Sequence, residues 1–131
     1  GEQLFTVGYP VAALLGHEPK YTDGALSSKS GIQGEASVLQ VTIPIQPGSS
    51  GGPVVTTKGE VVGIVTSTAA IKSFLEITGS LPQNVNWAIK GEYASLLFDS
   101  KEVILPCPTK DDAIKRVKAA VCLIEVWTSP K

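Results

Sequence analysis

Methionine is absent from the chain, histidine occurs once, and the two cysteines sit near the C-terminal end, at 107 and 122. Each scarcity excludes something. A lone histidine and no cluster of ligating side chains leave no basis for a metal centre, and nothing in the chain asks for a cofactor. Two cysteines outside the first hundred residues exclude a disulfide-stapled body; a Cys107–Cys122 bridge is possible, but buried or half-buried free thiols are the better expectation. Eleven Lys and Arg against twelve Asp and Glu give a net charge of −1, so nucleic acid and acidic lipid are not expected partners. No apolar run is long enough to span a membrane. Nothing at the N terminus reads as a signal peptide, which leaves export open because a mature chain would have lost one. The missing methionine, with a strand-like run beginning at Gln3, reads as a piece of a longer chain.

What is present is ordinary for a globular domain: 131 residues, 43% hydrophobic and 18% charged, enough for one core. Short β-rich runs cover 3–7, 20–27, 36–45, 53–57, 60–67 and 84–89, punctuated by Gly and Pro. That spacing predicts an all-β antiparallel barrel or sandwich. Residues 68–80 form a longer connection with a helical turn expected around Ala69 to Glu76, and Glu92 to Phe98 is helical by pattern. Beyond Ser100, Pro106-Cys107-Pro108 forces extended chain, Thr109 to Asp112 offers cap residues for a helix, and Ala120 to Trp127 reads as a strand.

The segment Ile43-Pro44-Ile45-Gln46-Pro47-Gly48-Ser49-Ser50-Gly51-Gly52-Pro53-Val54-Val55 carries the chemistry. It sets Ser50 in a glycine-rich turn between two β-branched runs. Such a turn can lift a hydroxyl clear of the backbone and leave neighbouring N–H groups pointing one way, as an acyl-transfer nucleophile and its oxyanion require. A Gly/Ser linker is a poor alternative, because strand-like sequence presses on both sides. The run also satisfies G-x-S-x-G, but that elbow requires a helix directly after the serine. Here a hairpin follows, turning at Lys58-Gly59.

At these residues the chain resembles the trypsin-like serine endopeptidases, and within them the disulfide-poor bacterial HtrA-like branch. Thr22-Asp23-Gly24-Ala25-Leu26-Ser27 is similar to the family's T-x-G-x-[VL]-S strand. Gly8-Tyr9-Pro10, Gly63-Ile64-Val65 and Asn84-Val85-Asn86-Trp87-Ala88-Ile89 follow its order and spacing over roughly residues 3 to 98. The resemblance implies the C-terminal, six-stranded Greek-key barrel of a protease domain over 1–99, with a short C-terminal helix, and a helix–strand tail over 100–131. It makes Ser50 the nucleophile, the N–H groups of Gly48 and Ser50 the oxyanion hole, and Pro44, Ile45, Thr66, Ser67 and Thr68 the primary pocket. It implies a polypeptide substrate and is compatible with the bacterial envelope or periplasm.

The family's catalytic histidine and aspartate belong to an N-terminal barrel that this stretch does not match. His17, Asp23 and Ser50 occur in the catalytic order, yet all three fall inside the C-terminal barrel, so they do not form the triad; His17 is expected in an exposed turn and Asp23 on the surface. The chain is expected to be half of an active site, inactive alone. Its open face, which the missing N-terminal barrel would normally cover, is expected to be covered by a second copy in a homo-oligomer, by an exchanged tail strand, or by residues 113–127. A non-catalytic barrel that binds peptides or a protein partner is the alternative.

Overall fold

The computed structural model describes residues 1–66, 75–80, 85–98 and 104–129. Six strands form a closed antiparallel barrel: β1 (Gln3–Gly8), β2 (Lys20–Ser28), β3 (Val38–Val41), β4 (Pro53–Thr56), β5 (Val61–Val65) and β6 (Asn86–Lys90). Around the barrel the order is β1-β2-β3-β6-β5-β4. The chain meanders through β1, β2 and β3, then crosses to the far side of β1, where Leu4, Phe5 and Thr6 pair with Thr56, Val55 and Val54. From there β5 and β6 return until Val38 to Val41 meets Ile89 to Asn86 and the barrel closes. This is the expected Greek-key arrangement, and the crossover from β3 to β4 is the segment that contains Ser50.

Alternation along the strands builds two cores. Leu4, Leu39, Val41, Ile43, Val54, Val65 and Ala88 fill the barrel. The intervening residues Phe5, Val7 and Val55 point outward and are nevertheless buried, because Cys107, Ala113 and Val117 cover them. The last two belong to a helix, α3 (Lys110–Ala120), the longest among the described residues; α1 (Ala12–Leu15) and α2 (Gly91–Ala94) are single turns, and α2 runs into a 3₁₀ turn at Ser95–Leu97. Covering β1 on its second face explains its near-continuous apolar sequence, as in any strand buried on both sides. Each Phe, Leu, Ile or Val among them contributes about 1.5–3 kcal/mol when fully removed from water.

The start of α3 is fixed locally. Thr109 Oγ1 accepts the Asp112 amide at 3.1 Å and donates to the Asp112 carboxylate at 2.8 Å, a capping arrangement that satisfies an orphan donor of the first turn. Lys110 reaches down to β2, 5.5 Å above the Tyr21 ring and 3.5 Å from Asp23 Oδ2. The Tyr21 hydroxyl, and then the Asp23 charge, hold its ammonium above the usual lysine pKa. Upstream, the Cys107 amide donates to the Lys58 carbonyl at 2.8 Å, tying the tail to the β4–β5 turn.

Two details depart from the sequence reading. The run 36–45 yields a strand only at Val38–Val41, since the chain leaves the ladder beyond it while Asn86 Nδ2 holds the Ile43 carbonyl at 2.8 Å. The tail beyond Ala120 is not a strand: it is irregular, and among the described residues it has no ladder partner. The helical turn expected in the long connection is present at 75–78, and the rest of that expectation lies outside the described residues.

Both cysteines are free, Cys107 buried and Cys122 exposed. An aromatic disulfide reagent added to the native protein should therefore titrate one thiol rapidly and the second only after denaturant is added. Two fast thiols would show that α3 does not stay docked on β1.

Candidate active site

Ser50 lies on the crossover, at one end of the barrel. Pro47 and Gly48 begin a turn in which the Ser49 amide donates to the Gln46 carbonyl at 2.9 Å, and the Gly52 amide to Ser49 at 3.1 Å. Gly51 donates to the Val65 carbonyl at 2.9 Å, and Val65 donates back to Gly52 at 2.8 Å, so β5 grips the turn from one side. On the other side, the Val11 amide donates to the Pro47 carbonyl at 2.8 Å. Val11 itself has φ 45°, a left-handed conformation that is a genuine outlier for a β-branched residue. The strain sits directly beside the turn.

These bonds leave two amides of the turn open. Ser49, Gly51 and Gly52 are paired, whereas the N–H groups of Gly48 and Ser50 have no backbone acceptor among the described residues. The Ser49 side chain is buried; Ser50 is exposed, and its hydroxyl donates to the Thr66 carbonyl at 3.2 Å. Gly48 has φ 94°, and a Cβ there would stand 2.5 Å from the Tyr9 carbonyl oxygen, so the tight turn against Tyr9 and Pro10 requires glycine.

A cleft of about 780 Å³ opens beside this turn. One wall is the Gly48–Pro53 loop with Gly8 and Tyr9; the other is the end of α3 and the extended chain Val121 to Ile124. That size suits a small molecule or a few residues of peptide. Of the expected pocket residues, Thr66 is beside Ser50 and also donates through Oγ1 to the Trp87 carbonyl at 3.1 Å. Pro44 is exposed and Ile45 half-buried against the barrel core, and neither lines this cleft. Ser67 and Thr68 lie outside the described residues. Among the described residues no group of histidine, cysteine and carboxylate side chains is arranged to hold a metal.

His17 and Asp23 have partners of their own. His17 Nε2 is 3.1 Å from Glu125 Oε1 in an exposed pair, and Asp23 Oδ2 accepts from Tyr21 at 3.0 Å and pairs with Lys110. Neither is hydrogen-bonded to Ser50 or to the other. What sequence reasoning missed is the second wall of the cleft, residues 120–124. The only signal available was the apolar character of that stretch, which was read as a strand.

A closed antiparallel barrel of this order, with a serine raised on a glycine turn of its crossover, has the trypsin-like serine protease fold. The family profile described as the trypsin-like peptidase domain matches residues 1–64, from β1 into β5. Over 99 residues the chain is 38% identical to the uncharacterized protein y4bJ of Sinorhizobium fredii, a match that covers 74% of this chain and 16% of that protein. The serine endoprotease of Yersinia pestis is similar in structure at 27% identity and TM-score 0.53, over 73% of this chain and 29% of that one. An inactive mutant form of Rv3671c from M. tuberculosis aligns at 20% identity and TM-score 0.47, over 79% of this chain and 51% of that one. The chain thus spans about a sixth of the curated relative.

The Gly48 geometry makes a direct prediction. Gly48→Ala forces a side chain into a left-handed turn against the Tyr9 carbonyl and should cost about 1–3 kcal/mol or more. Urea unfolding monitored through Trp87 fluorescence reads this as a lower midpoint; an unchanged midpoint would mean that the turn is not held in this conformation.

Proposed function

We propose that this chain is the C-terminal half of a serine endopeptidase, with Ser50 as its nucleophile. The observation that carries the reading is the turn itself: an exposed hydroxyl, with the N–H groups of Gly48 and Ser50 on the same loop and without a backbone acceptor among the described residues. In the reaction, Ser50 Oγ attacks the carbonyl carbon of a peptide bond while a histidine base takes its proton. The carbonyl oxygen, now an oxyanion, accepts from Gly48 and Ser50, each such donor supporting about 10²–10³ in rate. The leaving amine takes the proton from the histidine, and water then frees the acyl group from Ser50.

The base and its orienting aspartate come from outside this chain, in an N-terminal barrel of the parent protein, since the His17 ring is committed to Glu125. The fragment alone should therefore be nearly inert toward a fluorophosphonate probe. In the parent protein Ser50 should label rapidly, and Ser50→Ala should abolish labelling and lower kcat by about 10⁶-fold. Rapid labelling of the isolated chain, lost in Ser50→Ala, would overturn the division of the site.

A second reading has one observation in its favour: the Ser50 hydroxyl is engaged with a backbone carbonyl, as a vestigial serine would be in a barrel that only binds peptides. Absence of labelling in the parent, with peptide binding retained, would select it.

Specificity follows from the pocket residues. Pro44, six residues before Ser50, would form the floor beside Ile45, with Thr66, Ser67 and Thr68 as the wall. No carboxylate is there to balance a buried Lys or Arg, whose desolvation would cost several kcal/mol unpaired. Peptide-library profiling of the parent should show cleavage after Ala, Val or Leu; preference for Arg or Lys would refute the pocket assignment while leaving Ser50 untouched.

A further inference from the structure

Beyond Ala120 the chain stops being helical yet does not leave the molecule. The Val121 amide closes α3 on the Val117 carbonyl at 3.0 Å, and the Tyr9 hydroxyl reaches toward the Val121 carbonyl at 3.5 Å. Four residues later the Glu125 carboxylate meets His17. Between these two tethers, Val121 to Ile124 runs extended along the cleft, facing the Ser50 turn across it. The tethers come from Tyr9 and His17, which flank α1 on the barrel side, so the strap is anchored to the same scaffold as the Ser50 turn.

The strap has the composition of a strand, Val121-Cys122-Leu123-Ile124, but its main chain from Cys122 onward enters no backbone hydrogen bond among the described residues. An extended, apolar segment with open donors and acceptors is a template for another extended chain. Resting on the reading of Ser50 above, we propose that Val121–Ile124 is a positioning wall of the active site. It pairs main chain to main chain with the extended polypeptide on which Ser50 acts. The occupant is a polypeptide because the cleft joins the strap to the Ser50 turn, and because its wall offers backbone groups rather than charge: among the described residues Arg116 is its one ionic side chain, and that guanidinium already donates to the Leu105 carbonyl at 2.9 Å. The contacts are sequence-tolerant, as main-chain pairing is, and leave side-chain selection to the other wall.

Adjacent amides of an extended chain point to opposite sides, so only one of Leu123 and Ile124 aims its N–H into the cleft. Proline removes that donor, whereas alanine keeps it and removes only side-chain contact. The test is fluorescence anisotropy of a fluorescein-labelled peptide of alternating Ala, Val and Thr, titrated with the full 131-residue chain and its variants. Leu123→Pro or Ile124→Pro, one and not both, should weaken binding about tenfold. The matching alanine variant should lose less than threefold, and thermal melts of all four should coincide. Amide hydrogen exchange supplies a second readout, with protection across 122–125 expected only when peptide is present. No binding to the unaltered chain, equal losses for proline and alanine, or tighter binding when proline is introduced (the behaviour of a strap that competes with peptide) would each overturn the proposal. Peptide pairing without Ser50 labelling of the parent would sink the protease reading alone, and labelling without a proline effect would sink the strap alone.

Discussion

The site depends on β1 being held on all sides. Its two edges pair with β2 and β4, its inner side chains complete the barrel core, and its outer ones receive α3. The β1–β4 ladder joins the second half of the barrel to the first, and it forms because the chain crosses the barrel end between β3 and β4. That crossover must be short, must approach the Gly8–Val11 segment closely, and must deliver Pro53 into register beside β5. Ser50 is exposed because it sits at the outer point of a connection pulled tight from both ends.

Once the connection is tight, the distribution of its amides follows. Val65 and Gln46 claim alternate groups of the turn, and those left over, Gly48 and Ser50, stay oriented because their neighbours are pinned. Preorganised donors of this kind cost nothing to reorient when charge develops, which is why they are worth more than the same groups in water. The left-handed backbone of Val11 is consistent with this economy: the segment accepts local strain so that its amide can anchor Pro47.

Much of this was legible in the residues. Alternating apolar positions and Gly/Pro punctuation located the six strands to within a few residues, since a half-buried strand and a turn each leave a local signature. Thr109 announced the start of α3 for the same reason. The position of Ser50 on a tight turn was legible because glycine is needed where no side chain fits. Two features were not legible. Val121 to Trp127 has strand composition, but a strand exists only where a second segment supplies its hydrogen bonds, and no local pattern reports that lack. The burial of Phe5, Val7 and Val55 by α3 depends on contacts about a hundred residues apart in sequence. Packing of residues 113–127 on the barrel was one of the coverings expected, and no local pattern in the sequence chose it over the others.

On the proposed reading, the Ser50 hydroxyl marks the difference between this chain and a complete catalytic site. In this chain it donates to Thr66. A carbonyl oxygen can accept that hydrogen bond and fix the rotamer, but it cannot take the proton, so Oγ stays a neutral, weak nucleophile. Replacing Thr66 by an imidazole as the acceptor exchanges one hydrogen bond of roughly 0.5–1.5 kcal/mol for another of similar strength. The exchange opens general-base catalysis, typically a factor of about 10²–10⁴, or roughly 3–5 kcal/mol of barrier. On that reading, what the chain lacks is an imidazole within hydrogen-bond reach of Ser50 Oγ.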